Sequence, residues 1–178
     1  MGQYYYPAMK QNGEITIYNR RVDGEYTMAK LMEHSWWENP FCKAMANKIY
    51  KNPAQLVWCG DYADEWECED LNHQQIMDDE GVGVESVEFS LDDKFLVNHS
   101  DKTYIDLNKY KEASTDSDGW VINPLPLLTA QGNGRGGGDY YEDRPNYELV
   151  GCWTWDLISI EDEAPEGYLE FKVCFKEC

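Results

Sequence analysis

Apolar and polar residues alternate with a period of two near the start of the chain, switch to a helical period around residue 30, and alternate again in the second half. Gln3 to Met9 and Glu14 to Tyr18 are aromatic or β-branched runs on either side of Asn12-Gly13, a dipeptide suited to a two-residue hairpin turn, so the first two strands are predicted there. Behind Thr27, the residues Met28, Leu31, Met32, Ser35 and Trp36 have helical spacing, which predicts a helix that Asn39-Pro40 should end. A second helix is predicted from Pro40 through Phe41, Ala44, Met45, Lys48 and Ile49, as far as Asn52-Pro53.

Gln55 to Cys59 reads as a short buried strand closed by Gly60, and Leu71 to Met77 as a short helix. Val84 to Leu91 alternates, and Phe95 to Val97 should pair with Thr103 to Leu107 across the polar tip Asn98-His99-Ser100-Asp101. Trp120 to Leu128 reads as extended, with Pro124 and Pro126 confining it to an edge or a loop. Leu149 to Trp155, Leu157 to Ile160 and Tyr168 to Phe175 supply the last strands. With no repeat and no linker, these elements predict a single α+β domain over residues 1–178, a mainly antiparallel sheet with the two N-terminal helices packed on one face.

Composition adds a partner class. Seven Trp, thirteen Tyr and five Phe in 178 residues can fill a core, so the net charge of −19 sits on a folded scaffold rather than on a disordered tail. The charge is uneven: residues 1–51 hold seven Lys and Arg against five acids, and residues 52–178 hold eight against twenty-nine. Between Lys51 and Lys94 lie 42 residues with no Lys or Arg and thirteen acids, among them Asp61, Asp64, Glu65, Glu67, Glu69, Asp70, Asp78, Asp79 and Glu80. Such a stretch repels duplex nucleic acid and anionic lipid and attracts cations or a basic protein surface. It is either a solvated face, a row of carboxylates that occupies a channel built for nucleic acid, or a set of oxygen ligands in which Asp61, Asp64 and Glu65 gather Mg²⁺ or Ca²⁺. Calcium-loop spacing is missing, so no cofactor and no dedicated metal site are expected.

Other chemistry is thinner. Gly132, Gly134 and Gly137 match a dinucleotide-binding glycine pattern, but the residues after them do not open a helix; the loop more simply exposes successive amides and Arg135, a setting that suits a phosphate or a carboxylate. His34 beside Trp36 and His99 at the hairpin tip suit acid–base work at neutral pH. A small hydrolase of RNA or a nucleotide would combine His34 and His99 with Asp61 and Arg135. The six cysteines read as reduced thiols, and neither a signal segment nor a membrane span is expected, which together suggest the cytoplasm of a host cell.

Met1-Gly2-Gln3-Tyr4-Tyr5, Leu31-Met32-Glu33-His34-Ser35-Trp36, Val57-Trp58-Cys59-Gly60-Asp61-Tyr62-Ala63-Asp64 and Leu128-Thr129-Ala130-Gln131-Gly132-Asn133-Gly134-Arg135-Gly136-Gly137-Gly138-Asp139-Tyr140 carry a resemblance. The chain resembles a family of small uncharacterised proteins of gut and other Gram-positive bacteria, their phages and mobile elements. The resemblance implies no catalytic residue. It implies a context, because accessory genes of mobile elements often encode inhibitors of host defence, acidic anti-CRISPR proteins among them. The expectation that follows is an acidic inhibitor whose partner is a basic protein surface such as that of a CRISPR effector. An acidic binding module for another basic host protein is the plainer form, and the hydrolase is the competing one.

Overall fold

The computed structural model describes residues 1–27, 29–64 and 81–176. β1 (Tyr5–Gln11) and β2 (Glu14–Val22) form the expected hairpin, with Gln11 opposite Glu14. Both turn residues have positive φ, 52° at Asn12 and 81° at Gly13, which matches the right-handed twist of the strands they join. Asp23-Gly24 repeats the device between β2 and the two-residue β3 (Glu25–Tyr26).

β4 (Ala54–Gly60) pairs antiparallel with β1 along one edge. Its other edge is shared by β9 (Leu157–Glu161), antiparallel at Ala54 and Gln55, and β8 (Ala130–Gln131), parallel at Trp58 and Cys59. β6 (Phe95–Asn98) and β7 (Thr103–Asp106) form the second expected hairpin, and β6 continues the sheet from β9. With β10 (Leu169–Glu170) beyond β7 and β5 (Val82–Val84) beside β2, the order among the described strands is β10-β7-β6-β9-β4-β1-β2-β3, mostly antiparallel. Alternation along β4 divides the core: Leu56 and Trp58 belong to the main cluster, and Val57 and Cys59 to a smaller one with Ala8 and Ala63.

Among the described residues three helices accompany the sheet, and two of them lie far from the N-terminus. α1 (Pro40–Lys48) is the predicted second helix, started by Asn39, whose Oδ1 accepts from Cys42 N, and by Pro40 at a position that needs no amide hydrogen. α2 (Leu107–Ser114) was not predicted, although Asp106 caps it by accepting from Asn108 N and Lys109 N. α3 (Pro124–Leu128) replaces the extended segment expected over Trp120 to Leu128. Its two prolines sit within the first turn, where a missing amide costs nothing, and Asn123 caps it.

Among the described residues the predicted first helix over residues 27–36 is absent, so the pair of N-terminal helices on one face is corrected to described helices at 40–48, 107–114 and 124–128. The physical reason is where the amides and carbonyls of that segment go. Ala29 O accepts from Tyr5 N, Met32 N donates to Gly138 O, Trp37 N donates to Val121 O, and Ser35 O accepts from Asn123 N. Leu31 and Met32 are buried as the spacing suggested, and Trp37 with them, but by a loop that bonds to three distant segments. Similarly, the strand expected over Leu149 to Trp155 is a 3₁₀ turn (Tyr147–Leu149) followed by turns, with Gly151 N, Trp153 N and Trp155 N donating to Leu127 O, Leu128 O and Leu56 O. Of the expected strands Tyr168 to Phe175 and Val84 to Leu91, only Leu169–Glu170 and the neighbouring Val82–Val84 are strands. The helix expected over Leu71 to Met77 lies outside the described residues.

Cys42, Cys152 and Cys174 are free, but Cys59 is disulfide-bonded, which corrects the all-thiol expectation and removes one support for the cytoplasm. No helix among the described residues is long and apolar enough to cross a membrane.

Asp162, just past β9, gathers Tyr50 OH at 2.8 Å, Lys51 Nζ at 2.6 Å and Lys94 Nζ at 3.4 Å. Lys51 first and Tyr50 second hold its carboxyl down to about 2. A folded-state value below the unfolded one, about 3.9, means the contribution to stability is present above pH about 4 and is lost as pH falls towards 2. Urea midpoints measured from pH 5 down to 2 should therefore fall less steeply for Asp162→Asn than for the parent. Parallel curves for the two proteins would contradict it.

Candidate functional site

The glycine-rich segment after β8 folds around a carboxylate of its own chain. Asp139 is fully buried, and its Oδ2 accepts from the successive amides of Gly134 (2.8 Å), Arg135 (2.9 Å) and Gly136 (3.0 Å). Gln3 Nε2 donates to the same oxygen at 2.8 Å, and Tyr5 OH donates to Oδ1 at 2.8 Å. Burial first, and then the charge of Asp139, push the Tyr5 hydroxyl far up, so it remains a donor. Three consecutive amides converging on an anion form a nest, and here the anion is internal. The site expected to take a phosphate or carboxylate thus already holds one.

The same loop clamps the first described part of the acidic stretch. Arg135 Nη1 donates to Tyr62 O at 3.0 Å and to Asp64 Oδ2 at 3.1 Å. Gln3 Oε1 accepts from Tyr62 N at 3.1 Å while its Nε2 donates to Gly132 O, so one amide side chain joins the glycine loop to the acidic turn. Asp61 is part of the frame: its Oδ1 accepts from Tyr4 N and its own N donates to Tyr4 O. Asp61, Asp64 and Arg135 are therefore brought together around Gln3. Glu65, Glu67, Glu69, Asp70, Asp78, Asp79 and Glu80 lie outside the described residues. The chain resumes at Gly81, whose carbonyl accepts from Asn19 Nδ2, and runs into β5 against β2.

The two histidines belong to separate hydrogen-bond sets, and no described contact joins them. His34 Nδ1 accepts from Lys30 N at 3.0 Å, its ring tilts against Trp36, and burial pushes its pKa down. His99 sits in a directed chain. Ser159 donates its hydroxyl to Glu161 Oε1 at 2.6 Å, so its oxygen must accept from His99 Nε2 at 2.8 Å, and His99 Nδ1 in turn accepts from Tyr168 OH at 3.2 Å. That direction leaves Ser159, fully buried, without His99 as its base, its proton lying on the side of Glu161 instead. Among the described residues, no group of three or more His, Cys, Asp or Glu is placed to share a metal ion.

Sequence reasoning weighed Arg135 and passed over Asp139, Gln3 and Tyr5. The signal for Asp139 was present in its position: an acid ending a run of glycines whose amides need an acceptor. Nothing local marked Gln3 and Tyr5, which reach it from the other end of the chain.

Compared with family models, with curated proteins and with solved structures, the chain matches none.

Proposed function

We propose that the chain is a docking protein that presents carboxylates to the basic, nucleic-acid-binding surface of another protein. Its narrower form is an inhibitor of a host defence nuclease such as a CRISPR effector. The observation that carries this proposal is the surplus of acid on a folded frame. There are 34 Asp and Glu against 15 Lys and Arg, and Lys30, Lys43, Lys51, Lys94, Lys109, Lys111 and Arg135 each already lie beside a carboxylate. A basic partner thus meets more carboxylates than cations. Such contacts are individually weak, about 0–1 kcal/mol each, so they act through number, association rate and salt dependence.

The anchoring of the acidic stretch supports the same function. Arg135, Gln3 and Tyr4 hold its entry at residues 61–64, and pairing with β2 holds its exit at residues 81–84. Seven of the acids lie in sequence between those two anchors. The likeness to phage and mobile-element proteins adds context and nothing about chemistry. A hydrolase built on His34, His99, Asp61 and Arg135 has no comparable observation in its favour, because the histidines sit in separate sets.

A variant carrying Glu65→Lys, Glu67→Lys, Glu69→Lys and Asp70→Lys tests the proposal and leaves Asp61 and Asp64, which hydrogen-bond within the frame, in place. Against a panel of purified guide-loaded nucleases, the parent is expected to slow cleavage by at least one of them, less so as salt rises. The reversed variant should require about tenfold more protein for the same effect. Undiminished inhibition by the reversed variant, or inhibition indifferent to salt, would sink the proposal.

A further inference from the structure

Arg20 is a buried cation in a chain whose net charge is −19, and among the described residues no carboxylate pairs with it. It lies on β2 and is 8 % exposed. Its guanidinium carbon sits 4.3 Å from the ring centroid of Tyr6, 5.0 Å from that of Tyr4 and 5.4 Å from that of Tyr26. Burying a charge without an opposite one is costly, and electron-rich ring faces offset part of that cost. They attract the charge but leave most of its five N–H donors unmet.

One nitrogen of the guanidinium is open to solvent. Nη2 donates to Tyr6 OH, and Nε is sealed in without a partner. Nη1 has no partner within the fold either, but it is not closed off. The small exposure of Arg20 therefore includes a charged donor that a ligand can reach. Its backbone is fixed, since Arg20 O accepts from both Thr27 N and Thr27 Oγ1, and Arg21 pairs with Tyr26 across the β2–β3 turn.

The surroundings add donors of the same kind. His34 Nδ1 accepts from Lys30 N, so the neutral ring carries its proton on Nε2, which has no partner among the described residues. Burial first, and the charges of Lys30 and Arg20 after it, hold the pKa of His34 down, so the imidazole lies within the field of the guanidinium. Tyr4 OH is likewise without a partner among the described residues. Two carboxylates of this region are engaged elsewhere: Glu33 Oε1 accepts from Lys30 Nζ at 2.8 Å, and Asp61 Oδ1 accepts from Tyr4 N at 3.1 Å. Residues 1–51 hold seven cations against five acids, so an anion is not repelled here as it is by the rest of the chain. A cationic ligand would meet a like charge, and a neutral one would leave the buried charge unanswered. Carboxylate and phosphate oxygens both suit a guanidinium held in one orientation. We infer that Arg20 is the seat of a binding site for one oxyanion group, carboxylate or phosphate, of a small ligand, a function separate from the docking of a basic partner.

The test follows the His34 Cε1–H and Arg20 Nε–H resonances of isotope-labelled full-length protein at constant pH. Inorganic phosphate and acetate are titrated, each against sodium chloride at matched ionic strength. At least one of the two is expected to move both resonances saturably at millimolar concentration, and which one does so identifies the group. Arg20→Met keeps the aliphatic length and removes the charge, and it should weaken that anion about tenfold or more, read at His34. Lys102→Met removes an equal charge from the β6–β7 turn, at the other end of the sheet, and should leave the affinity unchanged. If Arg20→Met does not fold, Arg20→Lys takes its place, with a loss of about threefold expected because the charge stays and the planar fork goes. The inference is overturned if neither anion does more than chloride, if the folded Arg20 variant binds as tightly as the parent, or if Lys102→Met weakens binding equally.

Discussion

Asp139→Ala is expected to remove about 4 kcal/mol or more of folding stability. The carboxylate has five donors within 3.0 Å: the amides of Gly134, Arg135 and Gly136, Gln3 Nε2 and Tyr5 OH. Truncation leaves them facing a cavity inside a fully buried site. Each unmade donor costs about 1–3 kcal/mol alone, and relaxation of the loop towards water recovers part of the total. Asp139→Asn should fall between parent and alanine variant, because it keeps one acceptor oxygen but turns two hydrogens towards groups that are themselves donors. Guanidinium unfolding followed by tryptophan fluorescence reads all three. A second readout is specific to the hub: in Asp139→Ala, hydrogen exchange at the amides of Tyr62 and Ala63 should accelerate, since Gln3 and Arg135 lose the partner that orients them. An alanine variant within about 1 kcal/mol of the parent would show that the loop does not need its anion.

Gly151→Ala is the second large effect. Gly151 has φ of 81°, and a Cβ placed there lies well inside contact distance of Ala130 O, a backbone atom that β8 holds against β4. The substitution combines left-handed strain, about 1–2 kcal/mol, with an overlap that neither neighbour can relieve without breaking a strand pairing or the bond from Gly151 N to Leu127 O. A loss of about 3 kcal/mol is expected. Gly167→Ala separates the two causes, since Gly167 has the same φ of 81° with nothing within 4 Å. It should cost only the strain. Thermal midpoints that fall equally in the two variants would mean that the close approach at Ala130 is not felt.

Much of the fold was legible where the cause is local. Asn12-Gly13 specified its own turn, and Asn39-Pro40 started a helix because a capping side chain and a residue without an amide hydrogen meet the needs of a first turn. Phe95 to Asn98 against Thr103 to Asp106 followed from alternation. Two local signals were present and not used: Pro124 and Pro126 mark the first turn of a helix rather than extended chain, and Asp106, the last residue of β7, also caps α2. The helix expected around Leu31 failed for a different reason. Its spacing was satisfied by burial while its amides and carbonyls bonded to Tyr5, Val121, Asn123 and Gly138, and no property of residues 27–36 alone announces those partners.

The candidate sites divide the same way. The sequence by itself determined the surplus of acid, its concentration between Lys51 and Lys94, and a glycine loop bearing Arg135, because charge and composition do not depend on folding. Tertiary structure alone decided that the loop's amides close on Asp139, that Arg135 holds Asp64, that the two histidines stand in separate sets, and that Arg20 lies among the rings of Tyr4, Tyr6 and Tyr26. Those outcomes depend on where Gln3, Tyr5 and Tyr62 arrive from distant parts of the chain, and a buried donor takes whichever acceptor the packed sheet brings within reach.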